Sequence, residues 1–306
     1  VSGAAGADPV RSRKDFQQFV NSYLDLVKSF PGFVSVRPTG SYNSNLTKEQ
    51  FGDIDLITHI ESDLPKPELK KLLARYFEQL PDTVIVPFSS AKHQGKKYYN
   101  SGEIITVRYQ DPDLGYSVQI DNIIAQDRNE AEFKLSFLDR PAEQQGLLLG
   151  LVKAALVEQN PTEVFSRMKI KNLPKLQKDQ EYEFNLSSSR LELRLVTYKP
   201  STYQEQDRKT VWQTTSRAQL AQLLKPYPFD APFEQLLAAI DQQVTRQRSR
   251  NRIAGLFNSM VSVKSGEAGT AKGQRKADAI EQVQQTLGSA HINEMLATYT
   301  RIVNTA

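Results

Sequence analysis

Gly40-Ser41-Tyr42-Asn43-Ser44-Asn45, followed at a short distance by Asp53-Ile54-Asp55-Leu56, is the stretch on which the fold turns. Side chains two residues apart on a strand share a face, so a strand here projects Asp53 and Asp55 together. Ile54 and Leu56 then point the other way, into a core. Upstream, Phe33-Val34-Ser35-Val36-Arg37 also has the composition of a strand. Gly40 lets the intervening backbone approach a phosphate closely, and the Ser41 hydroxyl and free N–H groups offer donors to its oxygens. The asparagine-rich run reads as a turn or a helix start whose positive dipole end would face such an anion.

A third carboxylate, Asp121, is embedded in Ser117-Val118-Gln119-Ile120-Asp121-Asn122-Ile123-Ile124, which also reads as a strand. Carboxylates inside apolar strands are uncommon unless they are paired or bound to a cation. Left alone, neighbouring carboxylates repel and at least one pKa rises. Magnesium fits this pattern, because it takes oxygen ligands and is commonly held by one or two carboxylates together with substrate phosphates. The chain has no cysteine, and its three histidines, His59, His93 and His291, are scattered, so no zinc-type spacing competes.

In this order, Gly40-Ser41, Asp53-x-Asp55 and Asp121 resemble the signature of the DNA polymerase beta-like nucleotidyltransferase superfamily, over roughly the first half of the chain. The resemblance implies transfer of a nucleoside monophosphate from a nucleoside triphosphate such as ATP to an acceptor hydroxyl, with loss of pyrophosphate. It implies two magnesium or manganese ions held by Asp53, Asp55 and Asp121, with Gly40 and Ser41 at the triphosphate. It also offers Lys153, from a later helix, as a contact to the triphosphate. The other reading of Lys153 is a lysine whose stem crosses an apolar face to reach water.

The 306 residues suffice for two domains, and 39% apolar with 24% charged residues is the composition of a folded globular chain rather than a disordered one. The longest apolar run, Gly146 to Val152, is followed at once by Lys153 and is too short to span a bilayer, so no membrane partner is expected. The small residues at Val1 to Ala7 lack the basic start and apolar centre of a signal peptide, and nothing asks for an oxidising compartment. A cytoplasmic location is therefore expected.

Apolar spacing predicts helices over 14–30 and 65–80, a strand at Val84-Ile85-Val86, and a polar, basic loop over 88–102 carrying Lys92, Lys96 and Lys97. Residues 103–109 and 115–124 flank Asp111-Pro112-Asp113-Leu114 and read as an antiparallel hairpin presenting Asp121. The expected class is α/β (α+β): a small mixed, twisted sheet with helices on one face and the acids on the other, then a mainly helical domain containing a β-hairpin. The domains are placed at 1–140, catalytic, and 141–306, closing over the nucleotide and choosing the acceptor. In the second, helices are predicted over 143–158, 217–224, 233–260 and 277–303, with the hairpin over 181–198.

The net charge of +4 decides little, but 245–276 concentrates Arg246, Arg248, Arg250, Arg252, Lys264, Lys272, Arg275 and Lys276 against the single acid Glu267. Arg246, Arg250, Lys272 and Arg275 are the candidate contacts to a phosphate backbone, and a solvated helix end is the other reading. The glycine-rich stretch over 262–276 is not a Walker loop and reads as a linker between helices. The favoured acceptor is a nucleic-acid 3′ end, RNA ahead of DNA. Alternatives are synthesis of a cyclic or linear oligonucleotide signal, nucleotidylation of a small molecule or protein, and an inactive nucleotide-binding scaffold.

Overall fold

The computed structural model describes the backbone of residues 7–81, 98–140, 142–168, 170–261 and 269–305. The chain divides into two compact units, Val1–Ala142 and Glu143–Ala306.

The first unit begins with α1 (Arg13–Val27), capped by the Ser12 hydroxyl accepting from the Asp15 amide. Phe16, Phe19, Val20, Tyr23 and Val27 recur at helical spacing and are all buried. Strands β1 (Phe33–Pro38) and β2 (Ile54–Ile60) follow, separated by the single turn α2 (Ser41–Ser44). Then come α3 (Lys66–Gln79), β3 (Tyr98–Ser101), β4 (Ile104–Gln110), β5 (Ser117–Ala125) and α4 (Arg128–Leu138). The five strands lie in the order β1-β2-β5-β4-β3. Only β2 and β5 run parallel, with Asp55 opposite Asp121, while the other neighbours are antiparallel. The sheet is therefore mixed, as expected.

Ile54, Leu56 and Ile60 of β2 pack with α1 and α3 through Phe19, Tyr23, Leu69, Leu73 and Phe77 in one large core. Ile57, which shares the parity of Asp55, instead packs with Ala125, Ala131 and Leu135 in a second, smaller cluster. Helix α4 thus lies on the side of the sheet that carries the acids, an addition to the expected arrangement. Its charged positions hide it in the sequence. Glu130 and Lys134 are buried, and their charges are met by Lys66 and Glu103 in a four-membered ion network. The expected strand at 84–86 and the loop lysines Lys92, Lys96 and Lys97 lie outside the described residues, and the end of that predicted loop is β3, the last of the described strands in the sheet.

The second unit contains α5 (Ala142–Glu158), α6 (Pro161–Arg167), β6 (Gln180–Leu186), β7 (Leu191–Tyr198), β8 (Glu205–Thr214), α7 (Arg217–Leu224), α8 (Phe233–Gln243), α9 (Gln247–Val261), α10 (Ala271–Leu287) and α11 (Ser289–Thr305). Its sheet is three-stranded and antiparallel, β6-β7-β8. The predicted hairpin is β6 and β7, and β8 extends it. Most of β8 is exposed on both faces, so no apolar alternation announces it.

Two predicted long helices are each a pair. The break between α8 and α9 is tied down by Glu158 at the end of α5, which accepts from the Thr245 amide at 3.2 Å, the Thr245 hydroxyl at 3.0 Å and the Arg246 amide at 2.9 Å. Gly288, at φ 84°, separates α10 from α11. Helix α10 also begins at Ala271, so Lys272 to Lys276 are helical rather than part of a linker. Among the described residues, no helix is long and apolar enough to cross a membrane.

Candidate functional site

Asp53 immediately precedes β2, and Asp55 is its second residue. Because β5 runs parallel beside β2 and Asp121 is the register partner of Asp55, their side chains leave the same face from neighbouring strands about 4.8 Å apart. The structure therefore brings the three predicted carboxylates onto one end of one face. Asp121 is the most supported of them: the Thr106 hydroxyl on β4 donates to Oδ1 at 2.5 Å, and the Gln119 amide donates to both oxygens at 3.1 Å.

The Gly40 turn closes on these acids. The Thr39 amide donates to the Asp55 carbonyl at 3.0 Å, and Gly40 itself sits at φ 69°. A Cβ at Gly40 would fall 2.7 Å from Asp55 Oδ2. Position 40 thus requires glycine twice over, for its left-handed backbone and for the carboxylate packed against it. The expected helix start after it is a single turn, too short for a macrodipole to develop, and the anion-facing dipole anticipated from the sequence is not built.

Lys48 is a site residue that strand periodicity does not reveal. Its ammonium donates to Ser41 Oγ at 2.9 Å and opposes the rise that burial imposes on the pKa values of Asp53 and Asp55. Its position in the spacer between Gly40-Ser41 and Asp53, as a cation next to two acids, is the signal that could have found it. Arg13 of α1 holds the same spacer in place. Its guanidinium donates to the carbonyls of Tyr42, Asn45 and Lys48 at 2.9, 3.2 and 3.3 Å and lies over the Tyr42 ring. Only the tertiary fold reveals that role.

Electrostatically the three acids are unsettled. Burial raises the Asp55 pKa to about 7, reinforced by the charges of Asp53 and Asp121 and opposed by Lys48. Asp53 is raised by burial against the pull of Lys48. Asp121 is also raised, with burial outweighing the hydrogen bonds from Thr106 and Gln119, and Asp53 adding repulsion. Ionising all three together is costly without added positive charge.

Among the described residues, no group of three or more acidic or histidine side chains stands close enough to enclose a metal ion. The acids do not form a ready-made protein cage. They fit the mode in which magnesium takes one or two carboxylates and completes its shell with water and substrate phosphates.

Lys153 and the arginines belong to the second unit. Lys153 is half-buried on α5, where it shares a cavity with Arg246, Arg248 and Arg252. Arg246 precedes α9, and Arg250 is exposed on that helix without lining the cavity. Of the candidate phosphate contacts, Arg246 therefore lines this cavity, with Arg248 and Arg252, and Arg250 does not. The side chains of Lys272 and Arg275, and all of Lys264, lie outside the described residues.

A scan against protein-family models and a search of curated proteins both returned no match to the chain. The functional reading therefore rests on the residues themselves.

Proposed function

We propose that the chain is a metal-dependent nucleotidyltransferase that moves a nucleoside monophosphate from a nucleoside triphosphate to an acceptor hydroxyl, releasing pyrophosphate. The observation that carries this is the convergence of Asp53, Asp55 and Asp121 on one sheet face, with the Gly40 turn packed directly against Asp55. Raised carboxylate pKa values fit a site whose charge is balanced by what it binds. Magnesium or manganese, when bound, would neutralise triphosphate charge and favour ionisation of the attacking hydroxyl. Asp53 and Asp55 would hold it on the triphosphate side, and Asp121, oriented by Thr106 and Gln119, on the acceptor side. Ser41 and Lys48 would donate to phosphate oxygens, with Lys48 exchanging its carboxylate neighbours for the triphosphate.

The acceptor in this reading is a nucleic-acid 3′ end, supported by the cationic side chains Arg246, Arg248 and Arg250 exposed at the start of α9. The absence of cysteine supports a cytoplasmic setting. The test is incubation with each labelled triphosphate and magnesium or manganese, with and without RNA and DNA oligonucleotides, beside Asp53→Asn. Extension of an oligonucleotide that disappears in the variant is expected. A small product formed without oligonucleotide would transfer the case to signal synthesis, and absence of any Asp53-dependent product would count against the transfer reaction.

A further inference from the structure

The cavity in the second unit has a volume of about 190 Å³ and lies among α5, the start of α9 and β6. Four cationic side chains, Lys153, Arg246, Arg248 and Arg252, line it against two carboxylates, Glu181 and Glu183. Among the described strands, β6 has a sheet neighbour on one side only, and residues of both parities along it line the cavity, as a strand edge presents them.

The two acids are already engaged. Glu183 pairs with Arg248 at 3.2 Å and with Arg208, from β8, at 3.8 Å, while Glu181 accepts the Tyr198 hydroxyl at 2.6 Å. The Arg246 guanidinium donates to the neutral carbonyl of Val157 at 2.9 Å, so its charge is not cancelled there. Among the described residues, Lys153 and Arg252 have no carboxylate within ion-pair distance. Burial and the neighbouring Arg248 lower the Arg252 pKa against the pull of Glu183. The place of Arg252 is well defined: Glu158 clamps the Thr245-Arg246 connection, and Arg248 and Arg252 are one helical turn apart on the same face of α9.

Volume decides what such a site can take. Ligand pockets for drug-sized molecules run from about 300 Å³ upward, so this one suits one or two phosphate groups rather than a whole nucleotide with its base. Guanidinium forks match phosphate oxygens in geometry as well as charge.

We propose that this cavity is a phosphate-binding site, in which Arg248 and Arg252 receive the oxygens of a mono- or diphosphate group and Lys153 and Arg246 add attractive charge. The group can come from free inorganic phosphates or from the backbone of a nucleic acid, and the chemistry of recognition is the same. The inference stands on the second unit alone and does not depend on the carboxylate site.

The test uses the full chain carrying Asp53→Asn and Asp121→Asn, without divalent metal, so that the carboxylate site does not contribute. Calorimetric titration with inorganic pyrophosphate is expected to show binding that weakens roughly tenfold or more in Arg252→Gln and in Arg248→Gln. Lys209→Gln, exposed on β8 and outside the cavity, should leave it unchanged. Circular dichroism confirms that each variant is folded, and Arg252→Lys provides a second variant that keeps the charge but loses the fork. Displacement of pyrophosphate by a single-stranded oligonucleotide would assign the site to a nucleic-acid backbone, and binding undisturbed by the oligonucleotide would assign it to free phosphates. Absence of pyrophosphate binding, or binding indifferent to Arg248 and Arg252, would overturn the proposal.

Discussion

Asp55 sits where three demands meet: it is a strand residue beside a parallel neighbour, it packs against Gly40, and it shares its face with two further acids. Between its ordinary value of 3.8 and about 7, the folded chain retains a proton that the unfolded chain has released. Stability must therefore fall as pH rises through that window, at up to about 1.4 kcal/mol per pH unit. In a metal chelator, thermal midpoints are expected to drop from pH 5 to pH 8, and Asp55→Asn should show a smaller drop. Magnesium with a triphosphate should recover midpoint at pH 8 more than at pH 5 in the unaltered chain. A variant as pH-dependent as the parent would show that Asp55 titrates normally. Gly40→Ala tests the turn itself. It forces a side chain into a left-handed conformation and against Asp55 Oδ2, so a loss of about 1–3 kcal/mol is expected on denaturant unfolding, together with loss of the proposed nucleotide transfer.

Among the elements, the β2–β5 pair carries the site, and its register is locked from beneath by Asn122. Asn122 Oδ1 accepts from the Tyr23 hydroxyl at 3.0 Å and the Thr58 hydroxyl at 2.9 Å, and its amide donates to the Ile105 carbonyl at 3.1 Å. One buried side chain thus connects α1, β2, β4 and β5 one residue from Asp121. Asn122→Leu would strand these polar partners in the core at about 1–3 kcal/mol each. A total loss of about 3 kcal/mol or more is expected in urea unfolding, and adding Thr58→Val should recover part of it. The ion network of Lys66, Glu103, Glu130 and Lys134 plays a comparable part for α4. Lys134→Ala, which leaves the buried Glu130 and the partly buried Glu103 each short of a partner, is expected to cost about 3–5 kcal/mol, and Lys134→Ala with Glu130→Gln should cost less than the sum of the single changes.

Over the whole molecule, each unit has its own apolar core. Phe16, Phe19, Tyr23, Leu56 and Phe77 belong to the first, and Leu151, Phe165, Leu193, Leu223 and Phe257 to the second. Trp212, the sole tryptophan, is in the second unit, with its ring edge-on to Phe165 at 5.2 Å. Units with separate cores tend to unfold as separate steps. Tryptophan fluorescence, which follows the second unit, and ellipticity, which follows both, are therefore expected to give non-coincident unfolding transitions. Coincident curves by both probes would show one cooperative unit instead.

The residues by themselves determined the strands of the site, because a period-two pattern is local and places Asp53 and Asp55 on one face, while the parallel pairing of β2 with β5 brings Asp121 to that face. They determined α1 and α3 for the same reason, through apolar residues at helical spacing. Tertiary structure alone decided what depends on distant partners. Helix α4 exists with buried charges because Lys66 and Glu103 meet them, and β8 stands without an apolar pattern because β7 pairs with it. The break before α9 is made by Glu158, whose carboxylate reaches a connection 87 residues along the chain. Lys48 and Arg13 join the site through the path of the spacer loop, and Arg252 joins Lys153 in one cavity through the packing of α9 beside α5. Periodicity reports which face a residue takes, whereas only the folded chain brings together charges that are far apart in sequence.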